Sequence, residues 1–306
     1  MVFVEERKRG KHTYFYLVKT FREKGKVRKT SIFLGADLNP MHLEKAVSDA
    51  KIELGEIDFE KILNKKELQE FEDLKSKLNA SISKVESGGF YEHFLTQFTY
   101  DSNAIEGSTL TLRETAFVLF DDISPLGKPM KDVQEAKNHK EAFDFIMQLK
   151  GHRLSKDLLC KIQGQIVKGT LPAHLTQFEG DLRGLNVRVG NHIAPPFYSV
   201  PRKLGALIKW FNANSTKFHP IVIASYFHSE FESIHPFVDG NGRTGRLLMN
   251  FMLKNRGFPV INIPVKYRRK YYDSLEKARQ EKNLTPLIKI MKRSYEEMLK
   301  TYSPSK

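Results

Sequence analysis

Twelve consecutive residues in the C-terminal part of the chain suit the handling of a polyphosphate: His235-Pro236-Phe237-Val238-Asp239-Gly240-Asn241-Gly242-Arg243-Thr244-Gly245-Arg246. The glycines beside Asn241 allow a sharp turn into a helix, whose free N–H groups can bind phosphate oxygens. Asp239 offers the oxygen ligand that Mg²⁺ prefers. Arg243 and Arg246 lie about one turn apart, so both can reach one anion. His235 supplies a base with an ordinary pKa of about 6.5.

Each of these residues alone has an ordinary structural interpretation, as a turn residue or part of a solvated helix face. The density of four chemical roles in twelve residues favours a site instead. Upstream, residues 221–231 carry apolar side chains at helical spacing, and Pro220 suits a first helical turn. Downstream, the same spacing recurs at Leu247, Leu248, Phe251 and Met252. We therefore predict a rigid loop joining two buried helices.

The twelve residues closely resemble the signature of the Fic family (filamentation induced by cAMP), His-Pro-Phe-x-Asp/Glu-Gly-Asn-Gly-Arg-x-x-Arg, and every specified position matches. The resemblance implies a mainly α-helical core that transfers AMP from ATP to a hydroxyl side chain of a target protein. In that scheme His235 deprotonates the hydroxyl, Asp239 binds Mg²⁺ and Phe237 packs into the core. The phosphates of ATP would be held by Gly240, Asn241, Gly242, Arg243 and Arg246.

A second motif lies upstream, at the end of a predicted helix rich in phenylalanine. The pattern Ser102-x-x-x-Glu106-Gly107 is similar to the inhibitory Ser/Thr-x-x-x-Glu-Gly/Asn motif of Fic proteins. Gly107 suits the position that ends a helix. The resemblance implies that Glu106 reaches Arg246 and represses transfer; without it, the segment is simply a helix end with a solvated glutamate. The same glutamate is compatible with the reverse reaction, the removal of AMP.

Residues 180–196, between the two motifs, predict a short β-hairpin. Val187 and Val189 alternate, and Gly190-Asn191 suits a tight turn. An ordinary surface hairpin would show the same pattern. The position matches the flap of Fic proteins, which pairs with the backbone of the target. The resemblance thus implies a docking role for Val187, Arg188, Val189 and Gly190.

Composition limits the class of protein. The 306 residues allow one core of about 200 residues with an accessory unit. We expect no membrane partner, because no apolar run reaches the roughly 20 residues of a membrane span, and we see no leader peptide. The single Cys160, placed in a predicted core helix, excludes an intrachain disulfide framework and favours the reducing cytoplasm.

Positive charge is concentrated at the N-terminus. Residues 1–35 hold 10 Lys and Arg against 3 Glu, a balance of +7, which is half of the net charge of +14. Residues 13–21 and 27–34 read as strands around the turn 23–26, with Phe3-Val4 as a third strand. This basic hairpin is compatible with binding nucleic acid or an acidic target protein, and also with a solvated sheet edge guarded by lysines.

We divide the chain into a basic β-rich segment (1–36), a helical accessory segment (37–86) and a Fic-type helical core (87–306), with Ser87-Gly88-Gly89 as a linker. In the accessory segment, helices are predicted over 41–56 and 57–85. Capping signals predict that core helices begin after Thr111, Asp132 and Ser155. Further core helices are predicted over 202–212, 267–282 and 286–302, and Tyr271 or Tyr272 is a candidate wall of an adenine site.

The sequence favours a cytoplasmic protein adenylyltransferase whose transfer activity is repressed by Glu106. The alternatives are a nucleotide-sensing regulatory module, a nucleic-acid-binding module, and an enzyme that removes AMP at the same site. A homo-oligomer is compatible with all of these. The target, its modified residue and the activating signal are not encoded in any pattern that we recognise.

Overall fold

The computed structural model describes residues 2–23, 26–53, 59, 62–85, 89–149, 151, 153–190 and 192–302. Their contacts divide the chain into two compact units, Met1–Phe59 and Glu60–Lys306. This division falls inside the predicted accessory segment, so the three-part organisation stays a prediction. Of the predicted linker, Ser87 and Gly88 lie outside the described residues, and Gly89 is the first residue of a helix.

The smaller unit contains an antiparallel sheet followed by a helix. Its strands, hydrogen-bonded in the order β1-β2-β3, are Val2–Arg9 (β1), His12–Glu23 (β2) and Lys26–Ala36 (β3). Helix α1 spans Pro40–Glu53 and packs against β2 and β3. Phe15, Leu17 and Val18 are buried, and burial of such apolar side chains is what stabilises a sheet this small. The predicted meander is confirmed, although residues 24 and 25 of its turn lie outside the described residues.

The described part of the larger unit is mainly α-helical, as predicted. Its helices are α2 (Lys65–Ile82), α3 (Gly89–Glu106), α4 (Leu112–Phe120), α5 (Met130–Gln148), α6 (Lys156–Val167), α7 (Val200–Asn214), α8 (Pro220–Ile234), α9 (Asn241–Lys254), α10 (Arg268–Glu281) and α11 (Thr285–Tyr302). A two-stranded hairpin of Arg188–Val189 (β4) and His192–Ile193 (β5) lies between α6 and α7 in sequence. No helix of the described residues is long and apolar enough to cross a membrane.

Local capping explains where several helices begin. Thr111 and Ser155 cap α4 and α6 through their hydroxyl groups, as predicted. The prediction for Asp132 was wrong, because α5 already begins at Met130. The Asp132 carboxylate instead accepts hydrogen bonds of 2.7 Å from both the N–H and the hydroxyl of Thr109. It therefore anchors the preceding loop, and its charge in the first turn still complements the helix dipole.

Helix α2 begins eight residues later than predicted. It starts after a capping box in which the Asn64 side chain accepts from the Glu67 N–H at 3.0 Å and Glu67 accepts from the Asn64 N–H at 2.9 Å. This Asn-x-x-Glu signal was overlooked in the sequence. Phe71 and Leu78 are buried, and α2 packs against α11, so this helix belongs to the larger unit.

Helices α8 and α9 form the centre of the larger unit, as their apolar spacing predicted. Most of their residues are buried, and the two helices pack against each other. The six residues between them form a loop whose Phe237 is fully buried, with its ring centroid 6.2 Å from that of Phe231. This aromatic contact fixes the loop on the core. Cys160 is also buried, as predicted.

Candidate active site

His235 ends α8 in the left-handed conformation, with φ 49° and ψ 63°. Such angles are uncommon for residues other than glycine, and here the His235 N–H is held by the Phe231 carbonyl at 2.9 Å. Burial, aided by the charge of Arg183, lowers the pKa of His235 to about 4. Glu106 and the backbone of Glu232 oppose this shift. The ring is therefore neutral near pH 7, as a general base must be, and its buried Nδ1 has no hydrogen-bond partner in the described residues.

The Asn241 side chain holds the loop itself. Its Oδ1 accepts from the Phe237 N–H at 3.0 Å, and its Nδ2 donates to the Phe237 carbonyl at 2.9 Å. Both ends of the amide are thus used within the loop, and the phosphate contact of Asn241 stays a prediction. The N–H groups at the start of α9 are left as the main-chain donors for an anion.

Gly240 and Gly242 are required by close packing at the start of α9. Gly240 has φ +77°, and a Cβ there would lie 2.9 Å from Cγ1 of Val167. A Cβ on Gly242 would overlap Oε1 of Glu106. The Glu106 carboxylate therefore lies directly against the first turn of α9, where a phosphate would bind.

Arg243 and Asp239 are in contact at the start of α9, and their roles toward phosphate and Mg²⁺ stay predictions. The buried Arg243 guanidinium contacts Oδ1 of Asp239 through Nη2 at 3.2 Å, and its Nη1 lies 3.0 Å from Oε1 of Glu135. Oδ1 of Asp239 also accepts from the Gly240 N–H at 2.6 Å. Oδ2 of Asp239 lies 4.0 Å from the Lys131 ammonium. Two cationic side chains (Arg243 and Lys131) and two carboxylates (Asp239 and Glu135) therefore lie together beside the loop.

A metal ion would have few protein ligands at this site. No group of three or more His, Cys, Asp and Glu residues in the described chain could hold one. The Asp239 carboxylate is 37% exposed, and Mg²⁺ is commonly bound by one or two carboxylates together with phosphate oxygens and water. The donor set therefore fits Mg²⁺ that arrives with a polyphosphate and does not fit a resident metal.

Arg246 contacts two residues of the upstream motif, and the inhibitory role of that contact stays a prediction. Its guanidinium is almost fully buried and donates from Nη2 to Oε1 of Glu106 at 2.7 Å. It also donates to Oγ of Ser102 at 3.0 Å and to the Ser102 carbonyl at 2.8 Å. Burial opposes its charge, but Glu106 and Tyr271 raise the pKa of Arg246 above its ordinary value. Helix α3 ends at Glu106, and the next residue, Gly107, has φ +106°.

Two titratable residues beside Arg246, the buried His228 and the half-buried Glu232, were missed in the sequence. A Cβ on Gly245 would lie 2.6 Å from Oε1 of Glu232 and 2.8 Å from Nδ1 of His228. Burial, and then the charge of Glu106, raises the pKa of Glu232 to about 8, while burial lowers that of His228 to about 3. His228 Nε2 lies 2.6 Å from the Tyr271 hydroxyl. The available signal was spacing, because positions 228, 232 and 235 share one face of α8.

A cavity of about 450 Å³ lies beside these groups. It is lined by residues of the upstream motif, the hairpin and helices α8 to α10, among them Glu106, Val189, Gly190, His192, Glu232, His235, Gly242, Arg246, Tyr271 and Tyr272. Its size suits a nucleotide-sized ligand. Both tyrosines of the predicted adenine wall line it; Tyr271 is buried, and Tyr272 donates to the Ile105 carbonyl at 3.2 Å.

The hairpin itself is confirmed as structure, with Val189 paired to His192 and Arg188 to Ile193. The Val187 carbonyl extends the pairing by accepting from the Ala194 N–H at 3.2 Å. Asn191, the second residue of its predicted turn, lies outside the described residues. Because Val189 and Gly190 line the cavity, the hairpin forms one wall of the site. Its role in docking stays a prediction.

The helical fold and this site define a class of protein in which a neutral histidine lies beside a helix N-terminus, an arrangement that suits a polyphosphate. Residues 153–253 match the Fic/DOC family, and the chain carries a Fic domain of that family. The loop His235–Arg246 lies inside the matched region, whereas Ser102–Gly107 precedes it.

Similar proteins have the same domain. The chain is similar to the protein adenylyltransferases Fic of Drosophila persimilis (29% identical over 251 residues, 78% of this chain and 47% of the relative) and Drosophila melanogaster (30% over 226 residues, 73% and 44%). It thus spans about half the length of these curated relatives. Fic-1 from C. elegans superposes with a TM-score of 0.67 at 25% identity, covering 87% of this chain and 78% of that one. A Fic-domain signalling protein from Bacteroides thetaiotaomicron shares the fold (TM-score 0.67, 22% identity, 76% and 95% covered).

Proposed function

We propose that this chain transfers AMP from ATP to a hydroxyl side chain of a target protein, and that the Glu106–Arg246 contact restrains the reaction. The observation that carries the proposal is a histidine held neutral beside a helix N-terminus, in a cavity that also contains the buried Arg246. The names of the relatives support the same reaction.

The placement of these groups supports the following reaction. His235 accepts the proton of the target hydroxyl, and the resulting oxygen attacks the α-phosphorus of ATP. The bond from that phosphorus to the bridging oxygen breaks, and pyrophosphate leaves. The N-terminus of α9, Arg243 and Arg246 stabilise the charge on the phosphates, which is the main contribution of protein groups to such transfers. Mg²⁺, held by Asp239 together with the phosphates, would neutralise further charge.

Glu106 opposes this reaction in two ways. It withholds Arg246 from the γ-phosphate, and its carboxylate lies against Gly242 in the space that the phosphates need. Two like charges about 4 Å apart at an effective dielectric of about 20 repel by roughly 4 kcal/mol. That corresponds to about a 10³-fold loss of productive binding.

Labelled ATP tests the proposal. We would incubate wild-type protein, Glu106→Gly and Glu106→Gly/His235→Ala with ATP labelled on the α-phosphate, Mg²⁺ and cell lysate. Label on protein should rise strongly with the first substitution and disappear with the second. Glu92→Gly is a matched control, because Glu92 is an exposed residue of the same helix. ATP binding without transfer in every variant would overturn the proposal and favour a nucleotide sensor.

Removal of AMP from a modified target at the same site is the alternative enzymatic function. It predicts that wild-type protein releases AMP from a labelled target while Glu106→Gly does not, since the carboxylate would then assist the reaction. Purified labelled target from the transfer experiment is the substrate for this measurement.

We further propose that the hairpin docks the target. Val187, Arg188, Val189 and Gly190 form or flank a short strand beside the cavity, and strand addition there would bring a hydroxyl toward His235. The single buried Cys160 is consistent with a cytoplasmic target; fractionation of cells expressing the protein would check that location.

A specific feature of the N-terminal sheet favours nucleic acid as an additional partner. The rings of Tyr14 and Tyr16 lie 6.2 and 5.3 Å from that of Phe33, and the Arg7 guanidinium lies 4.3 Å above the Tyr16 ring. Phe33 is 52% exposed. Aromatic faces beside cations suit unpaired bases and their phosphates. Binding of labelled single-stranded DNA or RNA that weakens steeply with salt would support this; binding only to acidic proteins would overturn it.

A further inference from the structure

The Arg183 side chain connects the motif loop to both ends of the hairpin. It is 2% exposed. Its Nε donates to the His235 carbonyl at 2.8 Å, and Nη2 reaches the Ile234 carbonyl at 3.4 Å. On the hairpin side, Nη1 donates to the Leu185 carbonyl at 2.7 Å and Nη2 to the Pro195 carbonyl at 2.6 Å.

The backbone at the same position adds a fifth link, because the Arg183 N–H donates to the Pro236 carbonyl at 2.9 Å. The acceptors therefore fall into two groups. One group is the Leu185 and Pro195 carbonyls, which flank the strands of the hairpin, and the other is the three consecutive carbonyls of residues 234–236. The planar guanidinium, with several fixed donors, holds four of these five carbonyls, two from each group. A lysine has a single ammonium on a flexible stem and cannot.

Burying a guanidinium against carbonyl groups is costly unless its hydrogen bonds are made. Burial lowers the pKa of Arg183, as expected of a cation in this setting. Its charge also acts on the neighbouring base, where it is the leading electrostatic contribution to the lowered pKa of His235. The other charged or titratable groups that act on that ring are Glu106 and His192.

We infer that Arg183 is a positioning residue for the transfer reaction, which fixes the hairpin relative to His235 and places a positive charge beside that base. The effect of Arg183 on AMP transfer rests on the proposed function. Its effect on the pKa of His235 does not. Arg183 does not line the nucleotide cavity, so its loss should affect the chemical step and the docking of the target much more than the binding of ATP.

Two substitutions in the Glu106→Gly background separate geometry from charge. Arg183→Lys keeps the positive charge but cannot bond all four carbonyls; we expect kcat to fall about 10–100-fold, with the His235 pKa almost unchanged and the Kd for ATP unchanged. Arg183→Gln removes the charge as well, so the His235 pKa should rise toward its ordinary 6.5. Arg202→Gln, at an exposed arginine of α7, is the matched control and should change none of these.

The histidine is titrated by NMR in nucleotide-free protein, and ATP binding is measured by calorimetry. If Arg183→Gln leaves both kcat and the His235 titration as in the parent, the inference is overturned. A parallel loss of ATP affinity and kcat in Arg183→Lys would show a merely structural role and would also overturn it. If no variant transfers AMP, the proposed function fails, while the difference in His235 pKa between the Gln and Lys variants still decides the electrostatic part.

Discussion

Nη2 of Arg246 lies 2.7 Å from Oε1 of Glu106, which is 140 residues earlier in the chain. The contact joins the end of α3 to the second turn of α9, and Gly242 in the first turn leaves room for the carboxylate. The arginine that the proposed reaction needs is thereby engaged by Glu106.

Ser102→Ala should weaken this restraint without removing it. The substitution deletes the bond from Arg246 Nε to the Ser102 hydroxyl but leaves the bond to the Ser102 carbonyl and the contact with Glu106. Loss of one buried hydrogen bond costs about 1 kcal/mol in the free energy of unfolding. Urea denaturation should show that loss, and AMP transfer should rise above the wild-type rate but stay well below that of Glu106→Gly.

Transfer activity should depend on pH as expected for a base of low pKa. Because the pKa of His235 is lowered to about 4, the ring stays neutral, and so competent, at every pH above that value. An unperturbed histidine would be only about one-tenth neutral at pH 5.5. We therefore expect kcat of Glu106→Gly at saturating ATP to stay level from pH 8 down to about pH 5.5. Removal of Glu106, which opposes the shift, moves the acid limb lower still; an acid limb near pH 6.5 would contradict this interpretation.

Glu232 should make stability fall as pH rises. Its folded-state pKa is raised from 4.5 to about 8 by burial and by Glu106, so the folded protein keeps a proton that the unfolded chain releases. This contribution is fully present below pH 4.5 and is lost as pH rises to about 8, at up to about 1.4 kcal/mol per pH unit. Glu232→Gln stays neutral throughout that range. Relative to Glu232→Gln, the free energy of unfolding of the wild type should therefore fall from pH 5 to 8 and stay constant above pH 8. If the two proteins show the same dependence on pH, the Glu232 carboxyl is not protonated in the folded state.

The parts of the site that the sequence predicted are those set by local spacing. The loop between α8 and α9 was readable because glycines, asparagine and arginines at short separations dictate a turn and a helix start, and apolar spacing on each side dictates burial. Caps at Thr111 and Ser155 were readable for the same reason. The Glu106–Arg246 contact came from resemblance to a family pattern, since no local rule links residues so far apart.

The parts that could not be predicted are buried polar contacts made by tertiary structure. Arg183 contacts four carbonyls, and Gln163 joins the Gly180 N–H at 2.9 Å to the Asp239 carbonyl at 3.1 Å. In the sequence both residues look like ordinary surface side chains. Asp132 was misread as a cap because its true partner, Thr109, lies 23 residues earlier. Partners of this kind become visible only when the chain is folded.

Because Glu106 contacts the start of α9 at Gly242, the effects of Gly242→Ala and Glu106→Gly on the free energy of unfolding should not be additive. The added methyl group would overlap Oε1 of Glu106 and crowd Nη1 of Arg246 at 3.0 Å, so it should destabilise the wild-type protein by about 1–3 kcal/mol. In Glu106→Gly the first clash is absent, and the same substitution should cost much less. The double-mutant cycle, measured by urea denaturation, should give a coupling energy of about 0.5–3 kcal/mol. Gly205→Ala, at a helical position where an added Cβ meets nothing within 4 Å, is the control and should show no coupling to Glu106. Additive effects at Gly242 would mean that the carboxylate does not rest on the start of α9.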